Sequence, residues 1–402
     1  MEEARAAPPR WAGVGPNVWL LGLTSLLTDA SSELVTSVLP VYLVLHLGVS
    51  PLAFGLVDGL QQGVAAVVRL ASGVFSDRMQ RYKPVAVAGY ALSAVCRLAL
   101  LPAGGSLPAL AAIAAFDRIG KGIRTSPRDA LLSLSARPEA LATAFGVHRS
   151  LDAAGALLGP LLAFALLASR PGAFPQLFVI AFLLALAGLG ALLLLVREVR
   201  PALGPSTAPA PDFALRVDPA LRGLVYASAL LGLATVSDGF LYLVLQRSSG
   251  IPVSSFPLLF VATSLVHFAL AVPFGRLADR VGRRAVFLAG HAALLLAYVT
   301  AALAGPGWLA PAGGVLLLGA YHAATDGVVM ALAASLVAPA RRGGSLALVG
   351  SAAGLARLGA SLLFGLVWSR FGFDAALLGF GALLLVALGA AASMLRAPEG
   401  AA

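Results

Sequence analysis

Ionisable side chains stand inside long apolar runs of this 402-residue sequence, and their spacing fits proton exchange or ion binding better than bond-making catalysis. Ser25, Asp29, Ser32, Glu33 and Thr36 recur at i, i+4, i+7, i+8 and i+11, which is one face of a helix. Two acids a turn apart repel when both are ionised, and a carboxyl that gains and loses a proton is what coupling to a proton gradient requires. Asp117, Lys121 and Arg124 share a second face. His148 with Asp152 and His322 with Asp326 are i, i+4 pairs, a geometry able to chelate a divalent ion. No cysteine lies near either pair and they fall on separate segments, so no metal site is assigned. Divalent-metal export through them is kept as an alternative.

Enzyme chemistry is not expected. His148-Arg149-Ser150-Leu151-Asp152 has three residues between His and Asp, not the four of an H-x-x-x-x-D acyltransferase, and neither G-x-S-x-G nor H-E-x-x-H occurs. Gly120-Lys121-Gly122 lacks the spacing of a phosphate-binding loop. No cofactor box is visible.

The elements that must position these groups are membrane helices. Of the residues, 59% are hydrophobic and 11% charged, with mean hydropathy +0.91; soluble domains carry about 45–50% apolar and about 25% charged residues. Twelve runs reach the roughly 20 apolar residues of a spanning helix: 17–46, 52–75, 84–103, 107–127, 144–169, 175–197, 221–246, 255–277, 284–304, 307–337, 345–368 and 373–395. The polar first ten residues and the length of the first run argue against a cleaved leader. The first and tenth runs are long enough to tilt or extend into water. The net charge of +10 follows from loop composition and not from nucleic-acid binding. With the amino terminus inside, one side holds most of the arginines and the other only Arg170, Arg247 and Arg370, which places both termini in the cytoplasm. In that register Asp29 lies near mid-membrane, Asp238 toward the outer end of the seventh span, and His322 with Asp326 toward the inner end of the tenth.

A proline-rich polar stretch separates the sixth and seventh runs, giving a six-helix unit at 1–200, a cytoplasmic linker at 201–220 and a second six-helix unit at 221–402. The halves share a signature between their second and third spans. The first copy holds Gly73, Asp77, Arg78 and Arg81; the second holds Gly275, Asp279, Arg280, Gly282 and Arg283, with Asp279 placed 202 residues after Asp77. A carboxylate beside guanidiniums at a helix end is a latch between neighbouring helices.

This duplicated G-x-x-x-D-R-x-G-R-R loop resembles that of the major facilitator superfamily, across the whole chain, although Gln80 replaces the glycine in the first copy. The resemblance implies two pseudo-symmetric six-helix bundles, a gating role for both loops, and a cavity lined by helices 1, 4, 7 and 10. That would gather Asp29, Glu33, Arg118, Asp238, His322 and Asp326 on one path, with Ser25, Ser32, Asp117 and Lys121 as further cavity residues. Gly155-x-x-x-Gly159-Pro160 resembles the fifth-helix antiporter motif of drug/proton exporters, and Arg118-x-x-x-Gly122 resembles a fourth-helix element tied to proton transfer. Leu27-Thr28-Asp29-Ala30-Ser31-Ser32-Glu33 is similar to an element of a bacterial facilitator branch. The expectation is a monomeric, multi-pass transporter of the inner or plasma membrane, without cofactor. It exchanges protons for small organic molecules, with Glu33 or Asp29 carrying the proton, Arg118 modulating it and Asp152 assisting. Structural ion pairs with Arg97, Arg118, Arg149 or Arg357 are the competing role for the buried acids; a non-transporting membrane protein is the remoter alternative.

Overall fold

A computed structural model describes residues 15–79, 81–137, 140–199, 219–337 and 342–395, and among them every regular element is helical. Apolar runs that meet lipid must close their hydrogen bonds within the segment, which only a helix or a closed barrel does. The first half folds as α1 (Pro16–Val41), α2 (Pro51–Met79), α3 (Tyr82–Ala103), α4 (Leu107–Leu134), α5 (Leu141–Ser169) and α6 (Phe174–Leu194). The second half folds as α7 (Pro219–Leu233), α8 (Asp238–Ser249), α9 (Phe256–Val281), α10 (Arg283–Ala302), α11 (Leu309–Ser335), α12 (Arg342–Phe371) and α13 (Phe373–Met394). The expected linker falls mostly at 200–218, outside the described residues.

Among the described residues nine segments are long and apolar enough to cross a bilayer, with α7 and α8 counted together as Leu221–Ser249. The three long helices outside that set are α1, α2 and α4, each of which carries charges in its interior. The seventh span is broken where the sequence predicts one continuous helix. Residues 234–237 are unwound, and the Tyr298 hydroxyl of α10 holds the break by donating to Ala234 O at 2.9 Å and accepting from Val236 N at 2.7 Å. The fourth span also departs from expectation: it continues through Pro127 to Leu134, carrying Arg128 and Asp129 into the interior. A proline inside a helix loses one backbone bond, and packed neighbours make that tolerable in membrane helices. The first span ends its regular helix at Val41 and closes in a wider turn at Tyr42–His46.

Two glycine contacts set the helix spacing. A Cβ at Gly155 of α5 would strike Leu26 O of α1, and one at Gly159 would stand 2.5 Å from Ala30 O and Leu34 N. Small residues four apart thus bring these two parallel helices to backbone contact, so the antiporter-like motif packs α5 on α1. Between the halves, α2 runs antiparallel to α12. Gly55 abuts the Ser361 carbonyl, Gly59 and Gly63 abut Leu358, and Gly365 receives Pro51 and Leu52.

One face of the molecule carries the starts of α1 and α7 and the end of α13: Asn17 bonds Arg197 and Ser135, and Gly223 sits against Met394 O. On the opposite face Leu52 N donates to Ser369 Oγ at 3.0 Å. Inward from that contact, Phe54, Phe240, Phe364 and Trp368 form an aromatic plug with ring centroids 4.7–5.9 Å apart.

Candidate functional site

Below the plug lies a cavity of about 310 Å³ between the halves. Its wall comes from α1 (Glu33, Thr36), α2 (Asp58, Gln61, Gln62), the α7–α8 break (Thr235, Ser237, Asp238), α9 (Phe260, Ser264), α11 (Tyr321, His322) and α12 (Arg357, Ser361). A second chamber of about 310 Å³ shares Gln62, Thr235 and Arg357 with it and runs past Asp326 to Met330 and Val349, toward the face of the termini. Helices 2, 8 and 11 of the twelve therefore supply walls that the expectation of helices 1, 4, 7 and 10 omitted. Helix 4 supplies none to the central cavity. Arg118 reaches it only through Gln61, whose side-chain oxygen accepts from Nη2 at 3.1 Å.

The polar face of α1 serves three surroundings. Ser25 points to α5 and α4, where His148 Nε2 lies 3.0 Å and Arg128 Nη1 3.1 Å from its hydroxyl. Ser32 accepts from Arg97 of α3 at 3.0 Å. Only Glu33 and Thr36 reach the central cavity.

Asp29 lies between these levels. Its carboxyl is within hydrogen-bonding reach of Asp152 of α5 and 3.8 Å from Arg124, while Lys121 stands in the field of both Asp29 and Glu33. Asp152 is also met by Arg128 at 3.7 Å and Arg149 at 3.4 Å. Glu33 has neither hydrogen bond nor ion pair among the described residues.

Asp117 does not line the central cavity. It is buried in an ion pair with Arg97 at 2.9 Å, with Arg118 Nε at 3.8 Å, beside a small separate void. This is the structural role weighed for the buried acids, tying α3 to α4. Such a pair is held in place because removing one partner strands the other charge.

Depth is corrected in the second half. Asp238 is the first residue of α8 at the break, and His322 Nε2 stands 3.0 Å from its Oδ2. The two therefore occupy one level, not opposite ends of the span; the break that lowers Asp238 to it has no local proline to mark it. Asp326 approaches the other ring nitrogen of His322 at 3.6 Å. His148 turns to Ser25 and away from a chelate with Asp152, and no group of three or more His, Cys, Asp or Glu stands together among the described residues.

The second signature loop is built as a staple within its own half. Gly282 takes φ +101°, a backbone that favours glycine. Arg283 holds Asp279 at 3.2 Å and donates to Ala331 O at 3.2 Å, and Arg284 donates to Ala392 O at 2.5 Å. These cations bind the carbonyl ends of α11 and α13, where the helix dipole favours them. Arg280 is exposed and Gly275 lies on α9 with open space beside it. Gly73, Asp77 and Arg78 fall on the last turns of α2, but their side chains and Gln80 lie outside what is described; Arg81 caps α3 in extended conformation.

Asp58, Gln61, Gln62 and Arg357 were not among the residues expected at the site. Asp58 accepts from Ser361 at 2.6 Å across the two halves, and Arg357 donates to the Tyr321 hydroxyl at 3.2 Å. The available signal was an acid and an arginine standing alone in apolar segments.

A family model described as the Major Facilitator Superfamily matches residues 21–246 and 235–402. An uncharacterized MFS-type transporter of Methanocaldococcus jannaschii is 30% identical over 364 residues, 88% of each chain. An uncharacterized protein of Mycobacterium tuberculosis is 28% identical over 363 residues, covering 87% of this chain and 85% of its own. Among solved structures, a mutant of the nucleoside transporter NupG superposes with a TM-score of 0.82 at 15% identity, covering 94% of this chain and 100% of that one. That likeness concerns the fold.

Proposed function

The chain belongs to the Major Facilitator Superfamily, and from that premise we propose that it is a proton-coupled antiporter that exports small organic molecules. As a member of that family it is a multi-span helical membrane transporter rather than an enzyme.

The observation that carries the finer reading is the Asp29–Asp152 carboxyl contact beside Lys121, one helical turn from the unpartnered Glu33. In this reading the carboxyl pair is the proton site. When it is unprotonated, Lys121 and Arg124 are drawn to it, and Glu33 is free to bind a cationic group. When a proton takes up one of the pair's two negative charges, its hold on Lys121 weakens, and Lys121 swings to Glu33 and displaces the cargo. Each ligand thus weakens the other's site, which is what exchange demands, and the proton gradient supplies the energy. Arg118 acts at a distance, by orienting Gln61.

The positive-inside distribution places both termini in the cytoplasm, so the cavity with its second chamber faces inward and the aromatic plug closes the outside. The halves are read as rigid units, 1–200 and 221–402, joined through 201–220 and rocking about the α2–α12 and α5–α9 seams. The loops at Asp77 and Asp279 bias that rocking. The protein is read as a monomer in the plasma membrane.

The test is made in inverted membrane vesicles loaded with a pH-sensitive dye and energised by respiration. An exported compound should dissipate the proton gradient when added from the cytoplasmic side, and Lys121→Met should abolish the effect while the protein stays in the membrane. If a compound binds and moves with no change in the gradient, antiport is wrong.

A further inference from the structure

We propose that the central cavity recognises compact zwitterions, taking the cationic group at Glu33 and Asp58 and the anionic group at Arg357. The proposal rests on the transport reading and names the cargo of that same cavity.

Five charged or chargeable side chains line the wall: Glu33, Asp58, Asp238, His322 and Arg357. Two of them satisfy each other, because Asp238 is bound by His322 at 3.0 Å. The other three form no ion pair among the described residues. Asp58 is held by a hydroxyl group, that of Ser361 at 2.6 Å, which bonds a carboxylate without cancelling its charge. Glu33 has no bonded partner among the described residues. Arg357 gives one nitrogen to Tyr321, and its Nε is buried without a partner. No carboxylate lies within ion-pair distance of it.

The remaining charges are therefore sorted by side: two anions on the wall of the first half and one cation on the wall of the second. Arg357 and Ser361 lie one turn apart on α12, about 6 Å along the axis, and Asp58 is fixed at the level of Ser361. The cationic and anionic positions of the cargo are thus separated by roughly a helical turn, which suits a short zwitterion. Phe260, beside them, offers an apolar wall for a side group.

Guanidinium favours carboxylate over other anions through its fork of donors. An amine without an acid would leave Arg357 unmatched, and an acid without an amine would face Glu33 and Asp58. Rejection of both follows from unpaired charge as much as from attraction to the correct cargo.

The test uses purified full-length protein in detergent and measures ligand-induced shifts in thermal midpoint and titrated affinity. The probes are phenylalanine, phenethylamine and 3-phenylpropanoate, accompanied by the other common amino acids and a set of dipeptides. The expected result is that at least one zwitterion binds about tenfold or more tightly than its amine and its acid counterparts. Asp58→Asn should erase the preference for the amine group and Arg357→Gln the preference for the acid group. An amine that binds as well as the matching zwitterion, or no shift with any zwitterion, overturns the proposal. The comparison on unmodified protein decides it even where a variant fails to fold. Proton flux with the same compounds separates this proposal from antiport. Zwitterion binding without flux refutes coupling and supports the cargo, whereas flux driven by amines alone refutes the cargo and supports coupling.

Discussion

At the scale of single residues, the division of labour along α1 is the main result. Asp29 and Glu33 are adjacent on the helix, yet Asp29 meets Asp152 and Arg124 while Glu33 opens to the cavity. The account therefore predicts different phenotypes for neighbouring acids. Asp29→Asn fixes the pair at its protonated charge, so it should make cargo affinity low and insensitive to pH and lower proton-driven flux by roughly 10²-fold or more, the scale of losing a proton-transfer group; Glu33→Gln should weaken binding while flux that remains stays proton-dependent. Titrations across pH with parallel flux measurements check this, and a cargo affinity that still varies with pH as in wild type in Asp29→Asn would contradict it. Tyr298 makes a second residue-scale prediction. Its hydroxyl alone satisfies Ala234 O and Val236 N at the unwound turn, so Tyr298→Phe should cost about 1–3 kcal/mol for each buried group left bare. A lowered thermal midpoint in detergent, with the cavity residues untouched, is the expected outcome.

At the scale of elements, contact between α1 and α5 depends on missing side chains. Gly159→Ile would drive atoms into the α1 backbone and should destabilise by about 1–3 kcal/mol or more, whereas Gly146→Ala, with open space beside it on the same helix, should be neutral or slightly stabilising. Thermal midpoints of the two variants compare them directly. Elements also show where sequence reading succeeds. Apolar length located most spans within a few residues, the fourth and seventh apart, and the spacing of Gly155 and Gly159 marked α5 for close helix packing, which the structure places against α1. The break at 234–237 was hidden because what creates it is a tyrosine 62 residues away in sequence, not a local proline. Pro127 misled in the opposite direction, as its helix continues within packed protein. Asp58 was overlooked and Arg357 was read only as an ion-pair partner, because their place on the cavity wall is set across the seam, where Asp58 meets a serine 303 residues away.

At the scale of the whole molecule, the seam formed by α2 and α12 is closed on the face opposite the termini and the polar chambers extend toward the termini. Alternating access requires this seam to open. Leu52→Cys with Ser369→Cys puts thiols on two residues joined across the seam by a 3.0 Å bond from the Leu52 backbone nitrogen to Ser369 Oγ, and the single native cysteine, Cys96, is buried. A short thiol cross-linker should halt transport by the double variant and spare each single variant, while cargo binding from the termini side persists. Continued transport after complete cross-linking would mean that the seam does not gate. The most direct test of the central claim is proton flux in proteoliposomes holding purified protein and a pH-sensitive dye, with cargo gradients imposed and wild type compared with Asp29→Asn and Asp152→Asn. The account predicts cargo-dependent proton movement in wild type and its loss in both variants, whose weakened cargo binding no longer responds to pH. Cargo movement without protons in wild type, or unchanged proton flux in both variants, would contradict it.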